Sequence, residues 1–150
     1  MIRTHSLVPS VLALLAAFAA PARAQSAADS AAIRATALDY IDGWYDGDAA
    51  RMERALHPHL AKRQVYQDDR GRSRLADMTA MELVQATRSG AGTTPPAERR
   101  DAVTILNQYG NAAMVRVDAI SWVDYLQEVK WNGRWVIVNV VWVDRPGTGD

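Results

Sequence analysis

The stretch that decides the fold is SWVDYLQEVKWNGRWVIVNVVWVD, residues Ser121–Asp144. At its centre, Asn132-Gly133 separates two arms that are rich in aromatic and β-branched residues. An Asn-Gly pair predicts a two-residue type I′ turn, because both residues tolerate a positive φ. The stretch is therefore predicted to form a β-hairpin. It holds four of the chain's five tryptophans, so it is also the main source of aromatic surface.

A two-residue turn determines which side chains share each face of the hairpin, unless a β-bulge shifts the register. It places Val129 opposite Val136 and Tyr125 opposite Val140. One face is then mostly apolar and is predicted to meet the core or line a cavity, and it consists of Tyr125, Gln127, Val129, Val138, Val140 and Trp142. The other face is mixed and is predicted to meet solvent or a second subunit, and it consists of Trp122, Asp124, Leu126, Glu128, Ile137, Asn139 and Val141.

Three helices are predicted upstream of the hairpin. Gly47 is a typical left-handed end for the first helix, and Asp48 is placed to cap a short second helix. Thr79 and Glu82 have the spacing of a capping box at the start of the third. Two weak polar strands precede the third helix, and two stronger strands follow it. This order predicts an α+β fold, in which a curved antiparallel sheet is covered on one face by helices.

The first 24 residues have the pattern of a secretory signal peptide. Arg3 provides a basic start, residues 11–20 (VLALLAAFAA) an apolar core too short to span a bilayer, and Ala22-Arg23-Ala24 a cleavage signature. The chain has no Cys, so a lipoprotein anchor is not expected. We predict that residues 1–24 are removed. Residues 25–150 would then form a single exported domain, periplasmic or secreted, with no stable membrane anchor.

The composition argues against several kinds of partner. The chain has 17 basic and 17 acidic side chains. Arg3 and Arg23 precede the predicted cleavage site, so 15 basic side chains remain against 17 acidic ones, a formal charge of −2. This balance gives no basic surface for nucleic acid or anionic lipid. The absence of Cys excludes disulfides and thiol chemistry.

Several short motifs resemble one known superfamily. They are Tyr40–Asp48 (YIDGWYDGD), Leu56–Leu60 (LHPHL), Trp122–Leu126 (WVDYL), and Gly133–Asn139 (GRWVIVN) followed by Trp142. Residues 29–144 resemble the nuclear transport factor 2-like superfamily, in the branch described as putative lumazine-binding. SnoaL-type polyketide cyclases and ketosteroid isomerases are more distant members. The resemblance implies a cone-shaped, cystatin-like fold: a curved sheet wrapped around three helices, with a pocket between them. It also implies a possible homodimer through the outer face of the sheet.

Five residues are predicted to bind a small hydrophobic or aromatic ligand in this pocket: Tyr40, Trp44, His57, Tyr125 and Trp142. Aromatic walls with few polar groups are common in small-molecule sites. The two tyrosines and two tryptophans of this set would equally suit a plain aromatic core. No cofactor is predicted. No metal site is predicted either, because His57 and His59 are the only histidines after residue 24 and no third ligand accompanies them.

The candidates for catalysis are Tyr40, His57 and Asp124. The resemblance implies that Tyr40 could donate a hydrogen bond to a ligand carbonyl, although it could equally be a core tyrosine. It also implies a general-base carboxylate soon after the second helix, where this chain has Lys62-Arg63-Gln64. We therefore predict a non-enzymatic ligand-binding or protein-interaction domain. The alternative is an isomerase, cyclase or dehydratase that uses Tyr40 with His57 or Asp124. Asp124 would serve only if its face turned inward, and the polarity of that face favours the outward orientation.

Overall fold

The computed structural model describes residues 10–147, with side chains described from residue 26 onwards. The chain divides into two units, Met1–Ala31 and Ala32–Asp150. The described part of the first unit is helical, and the second unit contains the sheet and the cavity discussed below. Residues 1–9 of the predicted signal peptide lie outside the described residues, and cleavage after residue 24 stays a prediction. Within the described residues, no helix has both the length and the apolarity needed to cross a bilayer.

The helices are α1 (Ser10–Asp46), α2 (Ala49–Ala55) and α3 (Ala80–Arg88), with a 3-10 turn at Pro96–Glu98. The strands are β1 (Leu56–Gln67), β2 (Ser73–Thr79), β3 (Ala102–Tyr109), β4 (Ala112–Asp118), β5 (Trp122–Trp131) and β6 (Arg134–Asp144). The strands form one sheet in the order β2-β1-β6-β5-β4-β3. The predicted α+β class, with a curved sheet and three helices, is confirmed.

One pair of strands departs from the antiparallel sheet that the sequence predicts. β1 runs parallel to β6, with Lys62 opposite Val140 and Gln64 opposite Trp142. A hairpin forces its two strands to be antiparallel, but a long connection leaves the direction open. Between β1 and β6 the chain forms α3 and four other strands, so no short turn links the pair. The parallel pairing places inward-facing side chains of β1 beside those of the last strand.

The three helix caps predicted at Gly47, Asp48 and Thr79 are confirmed. Gly47 has a φ of 68°, and the N–H groups of Gly47 and Asp48 donate to carbonyls of the last turn of α1 in a Schellman motif. The Asp48 carboxylate then accepts two backbone N–H groups of α2 at 3.0 Å. Thr79 and Glu82 form both halves of the capping box on α3. These caps satisfy backbone groups at the end of α1 and at the starts of α2 and α3.

The hairpin forms as predicted, but a β-bulge interrupts its register. Val129 lies opposite Val136, as predicted. Tyr125, however, is paired one residue further along β6 than predicted, with Val141. Val138 is the extra residue between these pairs, because the register shifts between Gln127 and Glu128. A single extra residue reverses the alternation of all side chains that follow it.

Because of the bulge, the two faces of the hairpin are made of different residues from those predicted. The inward face combines parts of both predicted faces, and it includes Trp122, Asp124, Leu126 and Glu128 from β5 with Ile137, Val140 and Trp142 from β6. The prediction that Asp124 faces outward is wrong, because its side chain is fully buried. The prediction that Tyr125 faces the interior is also wrong, because its side chain is 38% exposed on the outer face. Ile137, predicted to meet solvent or a second subunit, is buried inside the domain.

Candidate functional site

A cavity of about 190 Å³ lies between the helices and the inner face of the sheet. Its walls are almost entirely apolar, and they consist of Tyr40, Ile41, Trp44, Met52, Lys62, Met78, Leu83, Trp122 and Trp142. Trp44 and Trp122 meet edge to face, with ring centroids 6.4 Å apart. Sites for drug-sized ligands occupy about 300–1,000 Å³. The cavity is therefore of a size for a compact ligand of one or two fused rings.

Four side chains form a hydrogen-bonded group at one wall of this cavity, and we call it the Lys62 cluster: Lys62, Tyr40, Trp122 and Asp124. The Asp124 carboxylate accepts hydrogen bonds from Lys62 Nζ at 2.8 Å, from the Tyr40 hydroxyl at 3.1 Å and from Trp122 Nε1 at 2.6 Å. Lys62 Nζ also donates to the Tyr40 hydroxyl oxygen at 2.6 Å. Lys62 is 7% exposed and Asp124 is fully buried, so the cluster is an ion pair held out of water.

The surroundings of Tyr40 keep its hydroxyl protonated. Burial, followed by the negative charge of Asp124, raises the pKa of Tyr40 well above its ordinary value. The neutral phenol can therefore donate to Asp124 while it accepts from Lys62. The Lys62 ammonium also lies 4.6 Å from the centroid of the Trp142 ring, within the range of a cation–π interaction. The positive charge is thus stabilised by a carboxylate on one side and a ring face on the other.

The structure brings together three of the five predicted ligand-binding residues. Tyr40, Trp44 and Trp142 line the cavity. His57 does not, since it lines a separate groove beside α3 and its ring packs against Trp131 at 4.9 Å between centroids. Tyr125 lies on the opposite face of the sheet. Among the described residues, no three His, Cys, Asp or Glu side chains are grouped closely enough to hold a metal ion.

Six residues of the cavity wall are absent from the predicted site, and two of them, Lys62 and Trp122, belong to the Lys62 cluster. A signal for Lys62 existed: it follows Leu60 by two residues, so an inward Leu60 in a strand puts Lys62 on the same inward face. It also begins the segment where the resemblance implies a catalytic carboxylate. Trp122 had no comparable signal, because its placement depends on which face of the hairpin turns inward.

The loop after α3 determines where Trp44 can lie. A Cβ added to Gly92 would be 2.1 Å from the Trp44 indole, so no larger residue fits there while the indole keeps its position. The Thr94 N–H donates to the Tyr45 carbonyl at 3.1 Å, which holds the loop against the end of α1. The position of one cavity wall therefore depends on the absence of a side chain at Gly92.

A second buried carboxyl, that of Glu128, lies outside the cavity wall. Glu128 is fully buried, and neither of its carboxyl oxygens has a hydrogen-bond partner among the residues that the structure describes. Burial raises the pKa of Glu128 from 4.5 to about 8, because the charged form loses its hydration without gaining a partner. Glu128 is consequently neutral at pH 7 in the folded protein.

The curved mixed sheet and the three helices form the fold of solved proteins that are described as nuclear transport factor 2-like with a cystatin-like fold. Residues 28–143 match the model of the family described as putative lumazine-binding. The chain belongs to this family.

Solved structures agree with this fold. The chain is similar to a nuclear transport factor 2-like protein of unknown function from Silicibacter pomeroyi, with 19% identity, a TM-score of 0.68, and coverage of 80% of this chain and 98% of that one. A nuclear transport factor 2-like protein with a cystatin-like fold from Novosphingobium aromaticivorans has 14% identity and a TM-score of 0.62, over 86% and 90% of the two chains. A ketosteroid isomerase-like protein from Erwinia carotovora atroseptica has 14% identity and a TM-score of 0.55, over 76% and 94%. None of the curated proteins compared with the chain matches it.

Proposed function

We propose that the chain is an exported, non-enzymatic domain that binds a small flat ligand in the cavity beside Trp44. The observation that carries this proposal is a cavity of about 190 Å³ with three tryptophans and one tyrosine in its walls. Lumazine, which the family description names, is a flat heterocycle of two fused six-membered rings and is of suitable size. The signal-peptide pattern of residues 1–24 supports export.

The hydrogen bonds of Asp124 support binding without catalysis. A general base must come within hydrogen-bond reach of the proton that it removes. Asp124 is fully buried, is not among the residues that line the cavity, and already accepts three hydrogen bonds. Proton abstraction from a bound ligand would require this carboxylate to leave its partners.

One observation favours the alternative of an isomerase, cyclase or dehydratase. Tyr40 lines the cavity and is hydrogen-bonded to Asp124, so the two groups could act as a donor and its charged partner. His57 has no part in that arrangement, because it lines another groove. A phenol with a raised pKa remains a hydrogen-bond donor and does not become a base. The binding role therefore needs fewer changes to the observed geometry.

Gly92→Ala is expected to weaken ligand binding without unfolding the domain. The new methyl group would displace the Trp44 indole, and overpacking of this kind lowers folding stability by about 1–3 kcal/mol. Loss of about 1.4 kcal/mol of contact between the indole and the ligand would lower the affinity about tenfold. Lumazine is titrated into each variant while tryptophan fluorescence is followed. Gly71→Ala is the control for adding a methyl group away from the cavity, because a Cβ there meets no atom within 4 Å. Its φ of 69° strains any side chain, so this variant controls for ligand affinity and not for stability. Equal affinity of wild type and Gly92→Ala, or no response of the wild type, would contradict the proposal.

We also propose that two copies associate through the outer face of the sheet. Exposed apolar side chains lie there on adjacent strands, and they are Val65, Leu75, Tyr125, Val141 and Val143. Contiguous apolar surface with polar residues at its edges is typical of protein interfaces. Arg63 on the neighbouring strand is paired with Val141 and provides such an edge.

Val141→Glu is expected to convert a dimer to a monomer, because it buries a charge in the proposed interface. The measurement is sedimentation equilibrium of the mature protein. Leu106→Glu is the matched control: Val141 and Leu106 are both 50% exposed, but Leu106 lies on β3 at the far edge of the sheet. A wild-type monomer, or a dimer that survives Val141→Glu, would refute this association.

A further inference from the structure

We propose that the cavity selects neutral, flat ligands that carry a carbonyl oxygen, and that Lys62 Nζ is the group that binds this oxygen. This inference rests on the proposed binding function and adds the chemical class of the ligand and the residue that selects it. It follows from the hydrogen-bond capacity and charges of the Lys62 cluster.

Counting hydrogens shows which donor in the cluster is left for a ligand. Tyr40 has one O–H and Trp122 has one indole N–H, and both are donated to Asp124. An ammonium has three N–H groups, and Lys62 donates to Asp124 and to Tyr40. One N–H of Lys62 therefore remains, on a side chain that lines the cavity. The Trp142 ring face near it is a weaker acceptor than a carbonyl oxygen, which would form the stronger hydrogen bond.

The same cluster disfavours cationic ligands. Three tryptophans and a tyrosine around one cavity resemble the aromatic cages that bind quaternary ammonium groups. In this cavity the protein's own ammonium occupies that position, 4.6 Å from the Trp142 centroid and 5.4 Å from that of Tyr40. The Lys62 ammonium would repel a second cation, and the apolar surroundings would screen this repulsion only weakly.

Anionic ligands are disfavoured for a related reason. Lys62 Nζ lies 2.8 Å from Asp124, so the pair has a net charge of zero. An anion would lose its hydration on entering the apolar cavity. The nearby Asp124 carboxylate would repel it, which offsets its attraction to Lys62. A carbonyl oxygen requires much less desolvation and still receives a hydrogen bond from a charged donor. The other side chains of the wall are apolar or aromatic, so the rest of the ligand should be an uncharged ring surface.

Four bicyclic probes of similar size separate these classes: 2-quinolone with a carbonyl, naphthalene with no acceptor, 2-naphthoate with a negative charge, and N-methylquinolinium with a positive charge. Affinities are measured by tryptophan fluorescence at pH 7. We expect 2-quinolone to bind about tenfold more tightly than naphthalene, as one hydrogen bond to a charged group would give. Both ions should bind more weakly than 2-quinolone.

The double variant Lys62→Met/Asp124→Asn removes both charges and leaves an amide that can still accept from Tyr40 and Trp122. In it, the preference for 2-quinolone over naphthalene should disappear while naphthalene still binds. The ranking in the wild type tests the inference even if this variant does not fold. Equal binding of 2-quinolone and naphthalene, or tightest binding of either ion, would overturn the inference and leave the binding function standing. If none of the four probes binds, the inference fails, and the lumazine titration alone decides the binding function.

Discussion

Asp124→Ala is expected to lower the free energy of unfolding by about 3–5 kcal/mol, because it leaves the ammonium of Lys62 buried without its counter-charge. Asp124 is the fully buried member of a pair whose nitrogen and oxygen lie 2.8 Å apart. The substitution also removes the carboxylate that accepts the Trp122 Nε1 hydrogen bond. The measurement is urea unfolding of the protein, followed by circular dichroism.

The double variant Lys62→Met/Asp124→Asn serves as the control for this loss. Removal of both charges from a buried pair is often close to neutral, whereas removal of one partner is costly. The double variant should therefore be clearly more stable than Asp124→Ala alone. An Asp124→Ala protein within about 1 kcal/mol of wild type would show that Lys62 reaches water in solution, contrary to its burial here.

The stability of the wild-type domain is expected to fall as pH rises from about 5 to about 8, because of Glu128. The pKa of Glu128 is about 8 in the folded protein and its ordinary value is 4.5. In the folded state the carboxyl therefore keeps its proton over a range in which the unfolded chain has already released it. The stability associated with this proton is fully present below pH 4.5 and is lost as pH rises through the folded pKa. The full difference corresponds to at most about 5 kcal/mol.

Glu128→Gln removes this ionisation, so the free energy of unfolding of this variant should change little between pH 5 and pH 8. Glu53→Gln, at an exposed glutamate of α2, is the matched control and should keep the wild-type slope. The Asp39, Asp68, Asp118 and Glu82 carboxylates have pKa values lowered by their partners. The stability they contribute is lost only in more acidic solution, so they do not obscure this window. A wild-type profile as flat as that of Glu128→Gln would mean that Glu128 is solvated or paired in solution.

Local signals made much of the fold predictable. The Asn-Gly turn, the glycine end of α1 and the capping box on α3 each depend on a few adjacent residues whose backbone chemistry is specific. The parallel pairing of β1 with β6 was not predictable in this way. It joins strands that are distant in the chain, and no turn residue indicates whether such a pair is parallel or antiparallel.

The site was predictable only in part, because it depends on the bulge. Tyr40 and Trp44 lie on a helix whose inward stripe is visible in the sequence, and both reach the cavity. Asp124 is a polar residue on a mixed strand face, so its polarity alone predicts that it faces outward. It is buried because Lys62, from a strand far away in the chain, supplies the compensating charge. Such a pair becomes visible only when the register of both strands is known.

The bulge at Val138 determines which residues of β6 form one wall of the cavity. With that residue outside the ladder, Val140 and Trp142 lie opposite Leu126 and Asp124. If Val138 instead took a place in the ladder opposite Gln127, every later residue of β6 would shift by one, and the Trp142 indole would turn out of the cavity. Val141 would then lie opposite Asp124, and the Lys62 ammonium would lose the ring face beside it. A slip of one residue in β6 would thus exchange an aromatic wall for an aliphatic one without any change of sequence.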